Sequence, residues 1–282
     1  GWSAIEANSG DTVSFEGGTT SGQSIGEWSW VSDMDGAISS SGQFDTTTLS
    51  NGTHIIAFSL KGTNGLWSSE QTIDIDINGR PDFGNSDVTE DTIYRLSSAM
   101  FKIRIEDDNT AGSALSYNVS HRIKNGSLAP NEGWESAYIT DIVYNSETEE
   151  LEFTFTPDES ASIGEYEFLV EATDEEGGVS NHHVVSQSVN VQNNEPEIEN
   201  SNLQTDDGEP LRFSSGSPIE LGIDSTDEDG TVSTVIWYAD NDGDGILEEI
   251  GTGANFSFEN NNLPLGENTI KVRVLDNDGG YT

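Results

Sequence analysis

Residues 163–180 read Ile163-Gly164, then EYEFLVEA (Glu165–Ala172), then TDEEGGVS (Thr173–Ser180). A turn with Gly leads into an alternating apolar strand, an acidic turn with Gly follows, and another strand begins. The same order occurs twice more. Upstream, Leu49 and Gly52 precede THIIAFSL (Thr53–Leu60) and KGTNGLWS (Lys61–Ser68). Downstream, Leu265 and Gly266 precede ENTIKVRV (Glu267–Val274) and LDNDGGYT (Leu275–Thr282). An internal repeat of this kind marks a tandem array in which each copy is one structural unit.

Within the copies, the period is two. Tyr166, Phe168, Val170 and Ala172 share one face, opposite Glu165, Glu167 and Glu171; Val272 and Val274 oppose Lys271 and Arg273. Ile73, Ile75 and Ile77 likewise alternate with Asp74 and Asp76. One apolar and one polar face is the pattern of an antiparallel sheet packed on one side. Segments with helical period and caps are absent, and Gly, Asn and Asp turns separate many short strands, which favours sandwiches. Two copies continue into TIDIDINGRP and SVNVQNNEP, where Pro81 and Pro196 mark domain joints. The sequence therefore predicts an all-β chain of three tandem β-sandwich domains, 1–79, 80–193 and 194–282. The middle domain carries an added hairpin over residues 139–157, with Leu151, Phe153 and Phe155 facing its core. The third, which reaches Thr282 just after its DNDGGYT turn, is expected to lack its final strand.

Two further motifs carry a family resemblance. Trp30 opens WVSDMDG and Trp237 opens WYADNDG, both of the form W-x-x-D-x-D-G, and the third domain has STDEDGTV (Ser225–Val232) ahead of its Trp strand. These residues resemble the polycystic kidney disease (PKD) domain, an immunoglobulin-like sandwich common in archaeal and bacterial surface proteins and beside secreted hydrolases. The resemblance covers the first and third domains; the first departs from it at TTSGQSIG (Thr19–Gly26), and the middle domain is closer to a cadherin-like or generic immunoglobulin-like sandwich. It implies display at a cell surface, spacing and adhesion, with Trp30 and Trp237 in the cores. Fold alone does not set function.

The chain has 282 residues, 52 acidic against 10 basic, a net charge of −42, and no cysteine. The acids alternate with Val, Ile, Phe and Trp, which reads as folded sheets with acidic outer faces. Such a charge repels nucleic acid and anionic membranes, and both are discounted as partners. Disulfides and thiolate metal sites are excluded. Self-repulsion calls for screening, as in a marine or halophilic setting, or for bound divalent cations. No stretch is long and apolar enough to span a membrane, and none has the basic n-region and apolar h-region of a signal peptide. Gly1 in place of Met reads as the product of processing or of a cleaved tag; an extracellular or cell-surface location is what the family resemblance implies, and no address in the sequence states it.

Candidate chemistry centres on calcium. Asp240, Asp242, Asp244 and Gly245, in DNDGDGILEE, match the start of an EF-hand loop. Position twelve is Gly251, so Glu248 or Glu249 would have to supply the closing carboxylate; the alternative is a hairpin turn in which Asp, Asn and Gly tolerate unusual backbone angles. A second set follows from topology. Asp227, Asp229, Asp276 and Asp278 are expected at the joint into the third domain, near Asn194 and Glu195. Glu106, Asp107, Asp108, Asp174 and Glu175 are expected at the joint into the second, near Asn78. The arrangement resembles cadherin junctions, where calcium stiffens the joint; the alternative is solvated acidic loops. The first domain's corresponding loops hold no acids.

Other signals are weaker. Gly22-Gln23-Ser24-Ile25-Gly26 matches G-x-S-x-G, but that elbow needs a strand-to-helix turn with a His and an acid. His54, His121, His182 and His183 have no zinc spacing and read as surface polar groups. Trp2, Trp67 and Trp134 are candidates for an exposed platform for carbohydrate. Sequons at Asn51, Asn118, Asn125 and Asn255 are about as many as chance supplies. The sequence thus points to a non-catalytic structural or adhesive segment of a larger surface protein, with stacked spacer domains and the parent's other domains as neighbours. The alternative is an accessory module of a secreted hydrolase that binds polysaccharide or protein.

Overall fold

The computed structural model describes all residues except 1–4, 20, 21, 23, 109, 125–131, 181, 182, 203–210 and 260–262. Its described residues form six sheets and no α-helix; a single 3-10 turn covers Gly112–Ala114. No described helix is long and apolar enough to cross a membrane. The sheets pair face to face as three β-sandwiches in tandem, which is the architecture expected from the repeat.

The chain divides into two compact units. One holds residues 1–89, 100–154 and 167–188; the other holds 90–99, 155–166 and 189–282.

The first sandwich lies in the first unit. Its strands are β1 (Ile5–Asn8), β2 (Val13–Glu16), β3 (Ile25–Ser32), β4 (Gly36–Ser39), β5 (Gln43–Thr46), β6 (Gly52–Gly62) and β7 (Gln71–Asn78). One sheet runs β1-β7-β6-β3-β4, with β1 parallel to β7, and β2 pairs with β5 in the other. Period-two alternation puts Ile56, Ile75 and Ile77 on the inner face against Val13, Phe15, Trp30 and Leu49. Trp30 is 5% exposed and donates its indole N–H to the Ser41 carbonyl at 2.9 Å, so its one polar atom is satisfied.

Residues of the middle sandwich follow as β8 (Asp82–Val88), β9 (Thr92–Tyr94), β10 (Ala99–Glu106), β11 (Ser116–Ile123), β12 (Ile139–Asn145), β13 (Glu150–Phe155), β14 (Gly164–Thr173), β15 (His183–Val184) and β16 (Val189–Gln192). In the first unit, β12 and β13 form the added hairpin at one edge of the order β12-β13-β10-β8, and β14 pairs with β11 and β15. Phe101 stacks on Phe153 at 4.8 Å and meets Phe168 at 4.4 Å, joining the two sheets. Leu151, Phe153 and Phe155 are fully buried, as the alternation predicts. In the second unit, the start of β14 pairs with β16, and β16 pairs in parallel with β9.

The third sandwich lies in the second unit: β17 (Glu197–Ser201), β18 (Pro218–Thr226), β19 (Val232–Ala239), β20 (Glu248–Thr252), β21 (Asn255–Glu259) and β22 (Ile270–Asp276). Sheets β17-β18-β21 and β20-β19-β22 enclose Ile219, Leu221, Ile223, Val235, Trp237 and Val274. Here β22 occupies the place that β6 and β14 hold in the other sandwiches. It pairs with β19 on one side. On the other, among the described residues, Gly280, Tyr281 and Thr282 pair with its far end, at Asp276, Leu275 and Val274, and Ile270–Arg273 has no strand beside it. An unflanked edge leaves amides to water and lowers local stability. Hydrogen exchange should therefore be faster at Ile270–Arg273 than at Tyr166–Ala172 of β14; equal protection in a monomer would contradict the open edge.

Candidate functional site

The acids singled out in the sequence fall at three places. In the β19–β20 hairpin, Asp240, Asp242 and Asp244 each bring one carboxylate oxygen to within 4.8 Å of the others. The turn itself uses these groups. Asp240 accepts the amides of Gly243 and Gly245, Asp242 accepts that of Asp244, and Asp244 accepts that of Ile246. Glu248 closes over the loop at the Asn241 amide, 3.4 Å away. Gly243 and Gly245 have φ of 82° and 89°, a left-handed geometry that glycine adopts without strain.

At the passage from the first to the second sandwich, β7 ends on Asn78. Its side-chain amide donates to Asp174 at 2.8 Å and to Asn8 at 2.9 Å. Asp174 in turn accepts the Gly178 amide at 2.6 Å. Asp108 faces the linker, since a Cβ on Gly79 would fall on its carboxylate. Asp107 accepts the Thr110 amide at 2.7 Å and shapes its own loop. Glu106 lies outside this group; it is at the end of β10, paired with Arg104. Glu175 is exposed.

The passage into the third sandwich repeats the plan. Asn193, just past β16, donates to Asp276 at 2.7 Å, and Asp276 accepts the amides of Asp278 and Gly280. Asn194 gives its backbone N–H to Asp229 at 3.1 Å, while Glu195 is exposed. Arg95 enters from the end of β9. Its guanidinium is 2.7 Å from Asp278 and 3.5 Å from Asp229, and its Nε donates to the Ala161 carbonyl. Four buried oxygens around it accept no hydrogen bond: both of Asp227, one of Asp229 and one of Asn193. Burial, then the adjoining Asp229 and Asp276 carboxylates, push the Asp227 carboxyl above its ordinary range.

The Asn78–Asp174 contact falls at the joint where the sequence placed both residues; Arg95, Arg80 and Asn193 escaped the sequence reading, because their partners lie about 65 to 185 positions away. The scarcity of basic residues was the available signal: a guanidinium in a chain of charge −42 is worth locating.

The remaining candidates resolve as follows. Ser24 leads into β3 rather than a helix, and its carbonyl accepts the Thr63 amide, so the G-x-S-x-G match is not a nucleophile elbow. The expectation of surface histidines needs correction. His54 is fully buried, bonded to Ser32 at 2.8 Å and to the Ser50 carbonyl at 2.7 Å. His121 is also buried, against the Ala137 carbonyl and the Tyr138 ring. His183 stacks on Phe83, and His182 lies outside the described residues. The rings of His54, His121 and His183 have partners in the fold, which spacing along the chain does not reveal. Trp67 is half exposed with Lys61 Nζ 5.5 Å from its ring centre, whereas Arg122 covers Trp134 at 4.2 Å; Trp2 lies outside the described residues. Asn51, Asn118 and Asn255 are exposed, and Asn125 lies outside the described residues.

No family model matches the chain, and no curated protein matches it. Solved structures similar to it include a marsupial T cell receptor, at TM-score 0.40 and 9% identity over 95% of this chain and 98% of that one. Extracellular domains 3–5 of Drosophila OTK give TM-score 0.31 and 11% identity over 99% and 91%. Fibronectin(III)-like modules of Clostridium thermocellum CbhA give 0.27 and 14% over 67% and 90%. At these scores the fold assignment rests on the sheets themselves.

Proposed function

We infer that the chain is a non-catalytic, extracellular spacer or adhesive segment of PKD-like and immunoglobulin-like domains, with boundaries at 79/80 and 193/194. The observation that carries this is where the buried polar chemistry lies. Asp174, Asp229 and Asp276 are buried acids that bind strand-end Asn side chains, linker backbone or Arg95 at the passages between sandwiches. Such an investment serves to hold successive domains, and the partners it implies are the neighbouring domains of the same protein. Calcium fits this reading. The orphaned oxygens of Asp227, Asp229 and Asn193 are hard donors of the kind the ion takes, and Asp240, Asp242 and Asp244 offer a second, exposed set. Bound there, the ion would neutralise carboxylates that otherwise repel.

Calorimetry tests the calcium part. Millimolar calcium should give a binding heat and raise Tm beyond what matched ionic strength does, and Asp242→Ala with Asp244→Ala should remove the hairpin's share. No heat, with Tm unchanged, would end the calcium reading. For the function itself, turnover of a polysaccharide or peptide substrate by the purified chain would refute a spacer role. The half-exposed Trp67 favours the accessory-module alternative; saturable polysaccharide binding, lost in Trp67→Ala, would select it.

A further inference from the structure

The two passages between sandwiches use one set of parts. A sandwich has an Asn at the end of its last strand (Asn78) or one residue past it (Asn193), and the next presents a turn of pattern Asp-x-x-Gly-Gly, Asp174–Gly178 or Asp276–Gly280. In both, the Asn amide donates to one carboxylate oxygen of the Asp, at 2.8 and 2.7 Å, and the other oxygen accepts the amide of the second Gly, at 2.6 and 2.9 Å. In both, that Gly is required by space. A Cβ on Gly178 or Gly280 would fall on the Asp carboxylate and within 2.7 or 2.6 Å of the Asn Nδ2. In both, one guanidinium backs the contact. Arg80 bonds the Ser9 carbonyl at 2.7 Å, Asp11 at 2.7 Å and the Val179 carbonyl at 2.9 Å, so it spans the two sandwiches. Arg95 does the same at the second passage through Asp278 and Asp229. The equivalent turn of the first sandwich reads Gly62-Thr63-Asn64-Gly65-Leu66, and its Gly62 N–H donates to the Leu66 carbonyl as Asp174 does to Gly178. It has Gly where the carboxylate belongs and Leu where the bare Gly belongs.

We propose that the leading end of the second and third sandwiches is a docking surface for the strand-end Asn of the preceding one, locked by the Asp carboxylate and a guanidinium, and that this lock sets the joint without a divalent cation. It builds on the spacer reading but assigns the holding to protein groups. The Asp oxygens in the lock are taken up by amides, so calcium at the orphaned oxygens would add to a joint already formed. The turn of the first sandwich offers a strand-end Asn no carboxylate.

The test uses the full chain, which has no cysteine, so label pairs can be introduced freely. Nitroxides on exposed positions of the first sandwich and of the β12–β13 hairpin report the first joint by pulsed electron resonance. The wild type should give one narrow distance distribution, the same with EDTA as with millimolar calcium. Asn78→Ala, and independently Gly178→Ala, should widen it about twofold, as expected for domains without a fixed interface. Gly178 has no left-handed φ, so alanine tests space alone, and retained amide protection at Phe168 shows that the sandwich still folds. A wild type that is broad in EDTA and narrow only in calcium would overturn the lock, as would variants with unchanged widths. Neither result bears on turnover or ligand binding, which test the spacer reading separately.

Discussion

Trp237→Ala should unfold the third sandwich and leave the first standing. Trp237 is fully buried, and its indole N–H donates to the Gly253 carbonyl at 2.8 Å. It sits between sheets of only three strands each, against Ile219, Leu221, Ile223, Val235 and Val274. Truncating a buried Trp costs about 3–5 kcal/mol, through lost transfer energy and the cavity left behind. The Gly253 carbonyl also loses its partner in a dry site, which adds to the penalty. Whole domains are stable by about 5–15 kcal/mol, so a small sandwich with an open edge has little left. Two-dimensional amide spectra are the measurement. Signals from β17–β22 should collapse to unfolded positions while those of β1–β7 hold. A loss below about 1 kcal/mol in a urea melt would mean that Trp237 is not the centre of that core.

Arg95→Gln should be the most damaging change of a polar residue. The guanidinium is buried and is the positive charge within reach of Asp229 and Asp278. Burial alone would lower its pKa, but Asp278 and then Asp229 more than offset this and leave it raised. Removing one partner of a buried pair costs about 3–5 kcal/mol, because the other charge stays behind. The loss should depend on pH in a definite direction. Asp227 titrates above its ordinary value of 3.8, so the folded chain holds its proton more tightly than the unfolded chain does. That stability is present below the unfolded value and is lost as pH rises through the folded one. Without Arg95 the cluster leans harder on that proton. The Tm gap between wild type and variant should be small near about pH 4 and widen towards about pH 7. Millimolar calcium should narrow it at neutral pH if the orphaned oxygens take the ion. A gap that is constant across pH would show that Arg95 acts through packing alone.

Much of the fold was legible because a β-sandwich writes its core into alternate positions. Phe168, Val170 and Ala172, or Ile75 and Ile77, are apolar at every second residue, and all are buried. The rule also has a local failure. Leu169 breaks the alternation and is buried as well, at 6% exposure, because β15 pairs beside it. His54 shows the same limit. It lies in β6 between Thr53 and Ile55, and only the fold brings Ser32 and the Ser50 carbonyl to its two ring nitrogens.

By itself, the sequence determined the strands, the tandem repeat, the acidic outer faces and the turns that would carry clustered carboxylates. These depend on period, composition and backbone preference, which act within a few residues. The order of strands and loops already grouped the carboxylates at each joint; only the tertiary structure decided what meets them. Asp174 and Asp276 lie in turns that look solvated, yet each is closed by an Asn from the preceding strand, 96 and 83 residues away. Arg95 reaches Asp278 across 183 residues. Such pairings depend on where sheets end and how one sandwich follows another, and no local pattern encodes them.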